Sequence, residues 1–327
     1  MKKERNICIL GAGESGVGAA ILARKQGLDV FVSDLSKIKD KYRGMLENES
    51  ITHESGRHSE DKILTSDLIV KSPGIPAKAD IIMKAVEKGI PVISEIEFAS
   101  RYCTGKIVAI TGSNGKTTTT HLIQHMLKKA GKNSCMAGNV GASFAAAVAK
   151  GNYDYYVLEL SSFQLDDIVR FKPDIAIILN ITPDHLDRYD YSLKKYADSK
   201  FRITKNQGAE DFFIYNLDDE VILEGLKEIN NASINLPFSL KKKQEPGAYL
   251  EGDQFIVNLN NKSFNMSIHE LALQGKHNIY NSMAASIAGR IMELRKDLIR
   301  ESLSDFTNVE HRLEFVMDVH GIKFIND

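Results

Sequence analysis

Two glycine-rich turns, Gly11-Ala12-Gly13-Glu14-Ser15-Gly16 and Thr111-Gly112-Ser113-Asn114-Gly115-Lys116-Thr117-Thr118, each follow a short apolar run and open a helical pattern. A chain that repeats strand, turn and helix in this way builds a parallel sheet covered by helices, because it must cross back before adding the next strand. Apolar runs at 6–10, 29–33, 68–70 and 91–93 predict strands in the first region, and 17–26 and 81–88 predict helices. Around the second turn, 106–110, 155–160 and 175–181 predict strands, with helices over 116–130, 192–206, 278–293 and 297–303. Residues 249–250 and 255–259 flank Glu251-Gly252-Asp253 as an antiparallel hairpin.

Composition narrows the partners. The 42 Lys and Arg against 43 Asp and Glu leave a net charge of -1, which argues against a nucleic-acid binder while leaving room for a local anion site. No stretch approaches the ~20 apolar residues of a membrane span. The apolar run of MKKERNICIL ends at Gly11 after four residues, short of a secretory leader, so the expected location is the cytoplasm. Cys8, Cys103 and Cys135 lie too far apart for a zinc site or disulfide framework and are expected to pack as small hydrophobes.

The first turn matches G-x-G-x-x-G, and Asp34 ends the next strand 18 residues after Gly16. Glycines allow the tight turn and close backbone approach, and the helix N-terminus offers N–H donors to a phosphate. A dinucleotide enzyme would set Asp34 on a ribose; another nucleotide could use the same crevice, and a tight strand–helix turn is the bland alternative. The second turn carries the Gly-Lys-Thr end of a phosphate loop, with Ile110 where its first glycine belongs. Backbone N–H groups from Gly112, Ser113, Asn114, Gly115 and Thr118 can cradle phosphates, Lys116 supplies a point charge, and the Thr117 hydroxyl can ligate Mg²⁺.

A third set of residues stands where strands end. Glu159 closes a buried strand, where a lone carboxylate is costly unless paired or bound to a cation. His185 follows the strand over 175–181, and its neighbours Asp184 and Asp187 are expected to cap a turn rather than to act in catalysis. Lys200 shares an apolar helical stripe with Leu193, Tyr196, Ala197 and Ile203, whereas Lys194, Lys195 and Lys205 fall off it. An inward lysine needs an anion, a route for its head to solvent, or loss of its charge.

Together these segments resemble the Mur ligase family, ATP-dependent amide-forming enzymes of peptidoglycan precursor synthesis. The resemblance is carried by TGSNGKTT (111–118), AGNVG (137–141), LELSSFQLD (158–166), NITPDHLDRY (180–189) and YADSKFR (196–202). GKHNIYNS (275–282), HRLEF (311–315) and FIND (324–327) extend it along the whole chain. It implies a Rossmann-like N-terminal domain over 1–104 and a central P-loop-type α/β ATPase domain over 105–308 with a small antiparallel β extension. Residues 309–327 would then be the first strands of a C-terminal domain cut short, and a chain so cut is expected to bind its nucleotides without completing the ligation.

ELSSFQL points within the family to the ligase that joins D-glutamate to UDP-N-acetylmuramoyl-L-alanine. By this resemblance the ATP γ-phosphate passes to the substrate carboxylate, and the amine attacks the acyl phosphate. Lys116 and Thr117 would hold phosphates and Mg²⁺, Glu159 and His185 would ligate metal, and Lys200 would carry a CO₂-derived carbamate that helps position Mg²⁺. Asn278, Asn281, Arg312 and Asp327 match positions around the adenine and ribose of ATP. Glu14, Ser15, Asp34, Ser36, Gly74, Asn139 and Ser161 match positions around the UDP-substrate, with Glu14 standing where an apolar residue is expected. A monomer is expected, with neither nucleic acid nor membrane as partner.

Overall fold

A computed structural model describes residues 5–259 and 262–307, and the backbone of two strands at 314–319 and 322–326. By compactness the chain forms two units. One comprises 1–107, 135–173 and 198–206; the other comprises 108–134, 174–197 and 207–327.

The first unit begins with five strands, β1 (Asn6–Leu10), β2 (Asp29–Asp34), β3 (Thr52–Ser55), β4 (Leu68–Lys71) and β5 (Val92–Ser94). They alternate with helices α1 (Glu14–Lys25), α2 (Asp40–Asn48), α3 (Glu60–Ile63), α4 (Asp80–Glu87) and α5 (Glu95–Ser100). The sheet is parallel in the order β3-β2-β1-β4-β5. Its central strands are buried on both faces, which is why β1 and β4 read as unbroken apolar runs. Cys8 sits in that core, where burial pushes its thiol up to about 12; Cys103 and Cys135 are only half-buried.

In the second unit β6 (Lys106–Thr111) leads through the phosphate-loop turn into α6 (Lys116–Lys129). The chain then contributes β7 (Ser134–Gly138), α7 (Phe144–Lys150), β8 (Tyr155–Glu159) and α8 (Ser162–Asp166), which pack with the first unit. Two buried charged side chains explain that allegiance. Glu97, fully buried on α5, accepts hydrogen bonds at Oε2 from the amides of Val169, Arg170 and Phe171 at 2.8–2.9 Å. Lys71, at the end of β4, pairs with Asp167 at 2.7 Å.

The second unit continues through β9 (Ile175–Ile178), the first half of α9 (Leu193–Phe201), whose second half belongs to the first unit, β10 (Phe212–Asn216), α10 (Glu220–Leu226) and β11 (Ile234–Ser239). It then adds β12 (Gly247–Glu251), β13 (Gln254–Leu259), β14 (Lys262–Ser267), α11 (Lys276–Ile291) and α12 (Lys296–Ser304). Its strands run β14-β13-β12-β11-β10-β9-β6, parallel from β12 to β6 and antiparallel over the β12-β13-β14 meander. The expected hairpin is thus two-thirds of a meander. Beyond it, β15 (Glu314–Val319) and β16 (Ile322–Asn326) pair antiparallel.

Several boundaries differ from the sequence expectation, as at α1, which opens at Glu14 rather than 17, and two differ for a structural reason. The strand expected to reach 181 stops at Ile178, because Asn180 and Ile181 turn away to bond the phosphate loop and Asp219. The helix expected over 192–206 is α-helical only to Phe201 and tightens to a 3₁₀ turn over Arg202–Thr204.

Candidate active site

The phosphate loop leaves a strand buried from Ile107 to Thr111. Gly112 (φ 153°) and Gly115 (φ 82°) take backbone conformations that side chains resist. At Gly115 a β-carbon would also lie 2.4 Å from Asn281 Oδ1. Lys116 opens α6, and its ammonium donates to the carbonyls of Gly112 and Ser113 at 2.9 and 2.8 Å. Thr117 and Thr118 are buried in the first turn, whose N–H groups have no acceptor within the helix.

This loop is pinned by a segment whose role the sequence reading passed over. Ser113 N donates to Asn180 O at 2.9 Å, and Asn114 N to Asn180 Oδ1 at 2.8 Å. Ser113 Oγ donates to Thr182 O and accepts from Thr182 N, at 2.8 and 2.9 Å. Three residues later His185 adopts a left-handed φ of 48°, is 59% exposed, and sets Nε2 3.6 Å from Asp184 Oδ2. The phosphate loop and His185 therefore belong to one bonded framework within this unit.

Asn281, on α11, packs against Gly115 and donates to Asn278 Oδ1 at 3.2 Å; Asn278 in turn donates to Gln274 O at 3.0 Å. The structure thus sets Asn281 against the phosphate turn itself. Arg312 and Asp327 lie outside the described residues.

In the first unit Glu159 ends β8 and is 4% exposed. Asn139 bonds it twice: its amide N donates to Glu159 O at 2.9 Å and its Nδ2 to Oε1 at 3.3 Å. Gly138 (φ 100°) permits that approach, since a β-carbon there would meet Glu159 O at 2.3 Å. Glu159 Oε2 is buried with no hydrogen-bond partner. A carboxylate oxygen left so is costly and suits a cation.

Ser161 N-caps α8 in a capping box with Gln164. Ser199 bonds Ser162 O at 2.9 Å, and Arg202 donates to Leu165 O and Ile168 O, both at 2.8 Å. Between these anchors Lys200 is 1% exposed, as its stripe implied. Lys195 and Lys194 pair instead with Asp190 and Glu228 at the surface, and Lys205 is exposed.

The first glycine loop is braced from within. A β-carbon on Gly16 would sit 1.8 Å from Gly11 O, so α1 packs directly on the turn. Asp34 accepts from Ala12 N and from Ser36 N, both at 2.7 Å and one on each oxygen, which fixes the carboxylate against the turn while leaving each oxygen a further lone pair. Gly11, Asp34, Ser36 and Gly74 line one cavity of about 630 Å³, together with His58, Glu60, Pro76 and Asp80. Glu14 and Ser15 open α1, with Glu14 exposed. Nothing in the polar run around His58 carried a periodic signal, so sequence reasoning missed it.

Among the described residues no three His, Cys, Asp or Glu side chains cluster as a metal cage, and no helix is long and apolar enough to cross a membrane. An Mg²⁺ fits the residues present in one respect, the orphaned Glu159 oxygen, and the buried Thr117 hydroxyl at the phosphate loop is chemically suited to it.

Residues 110–289 match the Mur ligase middle domain, and 5–94 match the Mur ligase MurD-like N-terminal domain. The UDP-N-acetylmuramoylalanine–D-glutamate ligase of Christiangramia forsetii is 55% identical over 323 residues, covering 99% of this chain and 73% of that protein. The ligase of the same name from Bacteroides fragilis is 53% identical, covering 99% and 72%. Among solved structures, a UDP-N-acetylmuramate:L-alanyl-γ-D-glutamyl-meso-diaminopimelate ligase from Neisseria aligns with a TM-score of 0.66 at 20% identity, over 94% of this chain and 99% of that one. The UDP-N-acetylmuramate–alanine ligase of Thermotoga maritima aligns at 0.58 and 21%, over 99% and 74%. These structural likenesses speak to the fold.

Proposed function

The chain belongs to the Mur ligase family, and from that premise we propose that it is an ATP-dependent ligase joining D-glutamate to UDP-N-acetylmuramoyl-L-alanine in peptidoglycan precursor synthesis. The observation that carries this reading is 55% identity over 323 residues to a ligase of that specificity. The chemistry moves the ATP γ-phosphoryl group to the alanine carboxylate, giving ADP and an acyl phosphate. The D-glutamate amine then attacks the acyl carbon, forms the amide and expels phosphate. Such transfer asks the protein chiefly for positioning and charge neutralisation.

Residue roles follow from that demand. Lys116 would turn from its own loop carbonyls to the phosphates, which offer a stronger, charged acceptor. The amides of Gly115, Lys116, Thr117 and Thr118 would cradle the same phosphates, since those of Ser113 and Asn114 are spent on Asn180. Bound Mg²⁺ supplies neutralisation of phosphate charge, and Thr117, Glu159 and His185 are its proposed ligands. Lys200 is proposed to carry a carbamate; its burial supports this, and ¹³CO₂ labelling read by NMR tests it without reference to activity. Asp34, Ser36 and Gly74 would receive the UDP moiety, with Asn139 and Ser161 nearer the reacting end. We place the functional boundary near 104, between the two matched stretches, and expect a cytoplasmic monomer.

The test is an amine panel with the complete gene product, ATP and UDP-N-acetylmuramoyl-L-alanine, followed by ADP release. D-Glutamate should be the one good acceptor. Preference for a diamino acid or for L-alanine would overturn the assignment.

A further inference from the structure

We propose that His58 reads the base of the uridine nucleotide, accepting a hydrogen bond at Nε2 from the uracil N3–H. The inference rests on the UDP reading of the cavity beside the first glycine loop and assigns a specificity residue within it. Three carboxylates line that cavity, Asp34, Glu60 and Asp80, and no lysine or arginine does. Lys84 pairs with Glu60 at 2.6 Å, but it does not line the cavity, so a diphosphate would find no cation facing it there, whereas ribose hydroxyls and an imide N–H would find acceptors. The volume of about 630 Å³ is that of a small-molecule site. The cavity therefore suits the nucleoside end of the substrate, and His58 is its one imidazole.

Hydrogen-bond bookkeeping fixes the state of that ring. Ser33 Oγ lies 2.7 Å from Glu54 Oε1 and 2.7 Å from His58 Nδ1. Burial would push the Glu54 carboxyl up, but hydrogen bonds from Ser59 and Ser33 and the charge of Arg57 outweigh it and hold Glu54 below the usual range. An ionised Glu54 only accepts, so Ser33 must spend its single proton there. The contact between Ser33 and His58 then requires Nδ1–H as the donor. Burial lowers the affinity of His58 for a second proton, against the charges of Glu54 and Asp34. The neutral ring is left with a bare lone pair on Nε2.

A lone pair at that position discriminates between bases. Uracil presents N3–H to it, whereas cytosine presents another lone pair at N3. A site built to accept a hydrogen bond rejects the analogue that cannot donate one.

The test is calorimetric titration of the 327-residue chain with UDP, CDP and N3-methyl-UDP, using the wild type, His58→Ala and His58→Gln. The wild type should prefer UDP to both analogues by about tenfold or more. His58→Ala should bind UDP about tenfold more weakly and lose the preference, and His58→Gln, which keeps an acceptor near Nε2, should regain part of it. The affinity ratio is insensitive to a fraction of unfolded chain, which lowers each stoichiometry alike. UDP binding with the same ratio in His58→Ala as in the wild type overturns the inference alone. Absence of UDP binding by the wild type overturns the nucleotide reading of the cavity, and this inference with it.

Discussion

The two glycine turns have the same local plan and opposite electrostatics. Beside the first, side chains offer acceptors: Asp34, Glu60 and Asp80 line the cavity, and the Ala12 amide is already taken by Asp34. At the second, the loop offers donors: the Lys116 ammonium and the first-turn amides of α6. A strand–glycine–helix unit is therefore a mount, and the residues seated on it decide whether it takes the neutral end of a nucleotide or its phosphates.

The sharpest way to break this comparison is Lys116→Met. It should cost the complete gene product roughly 10²–10³-fold in ADP release while leaving UDP affinity unchanged. A parallel fall in UDP affinity would mean that the two loops do not act separately. Next in size is the pair Gly16→Ala and Gly115→Ala. The first drives a β-carbon onto Gly11 O and should destabilise the chain by about 3 kcal/mol, with UDP binding lost before ATP binding. The second adds strain at a positive φ beside Asn281 and should cost about 1–2 kcal/mol, with ATP binding affected first. Denaturant melts and nucleotide titrations of both variants check the order; the reverse order contradicts it.

A third test concerns Glu95, which opens α5 in the first unit and is 2% exposed. Burial pushes its carboxyl from 4.5 up to about 7, against a hydrogen bond from Ala145 N and with the help of the Glu14 charge. The unfolded chain releases this proton near pH 4.5, whereas the folded chain keeps it to about 7. Across that window the folded state holds more protons, so its stability falls as pH rises, by at most about 3 kcal/mol. Glu95→Gln keeps the acceptor for Ala145 and removes the titration. Urea denaturation at pH 5 and pH 8 should show a smaller decline for the variant, and equal declines would contradict the assignment. The smallest effect is expected for Asp34→Asn. It replaces one charged acceptor of the first loop and should weaken UDP binding about tenfold with no change for ATP.

Much of this was legible in the sequence. Both turns, the buried end of β8 at Glu159 and the inward face bearing Lys200 follow from periodicity and spacing. What was not legible depends on partners far along the chain. The amide partners that hold Asp34 in place, Ala12 and Ser36, could not be read from its spacing after the glycine turn. Asn180 read as the tail of a strand and Thr182 as the residue after it, and only the fold brings them to Ser113. β11 was not expected from the sequence, and the Pro237 within it is tolerated because the ladder to β12 spans only Phe238 and Ser239. His58 sits in a polar run with no pattern, and its tautomer follows from two side chains on neighbouring strands, Ser33 and Glu54.

The most direct test of the central claim is a calorimetric competition on the 327-residue chain, titrating Mg-ATP into protein already saturated with UDP. One equivalent of ATP should bind with its affinity intact while UDP stays bound, one nucleotide on each glycine turn. Displacement of UDP by ATP would mean a single shared site and would contradict it.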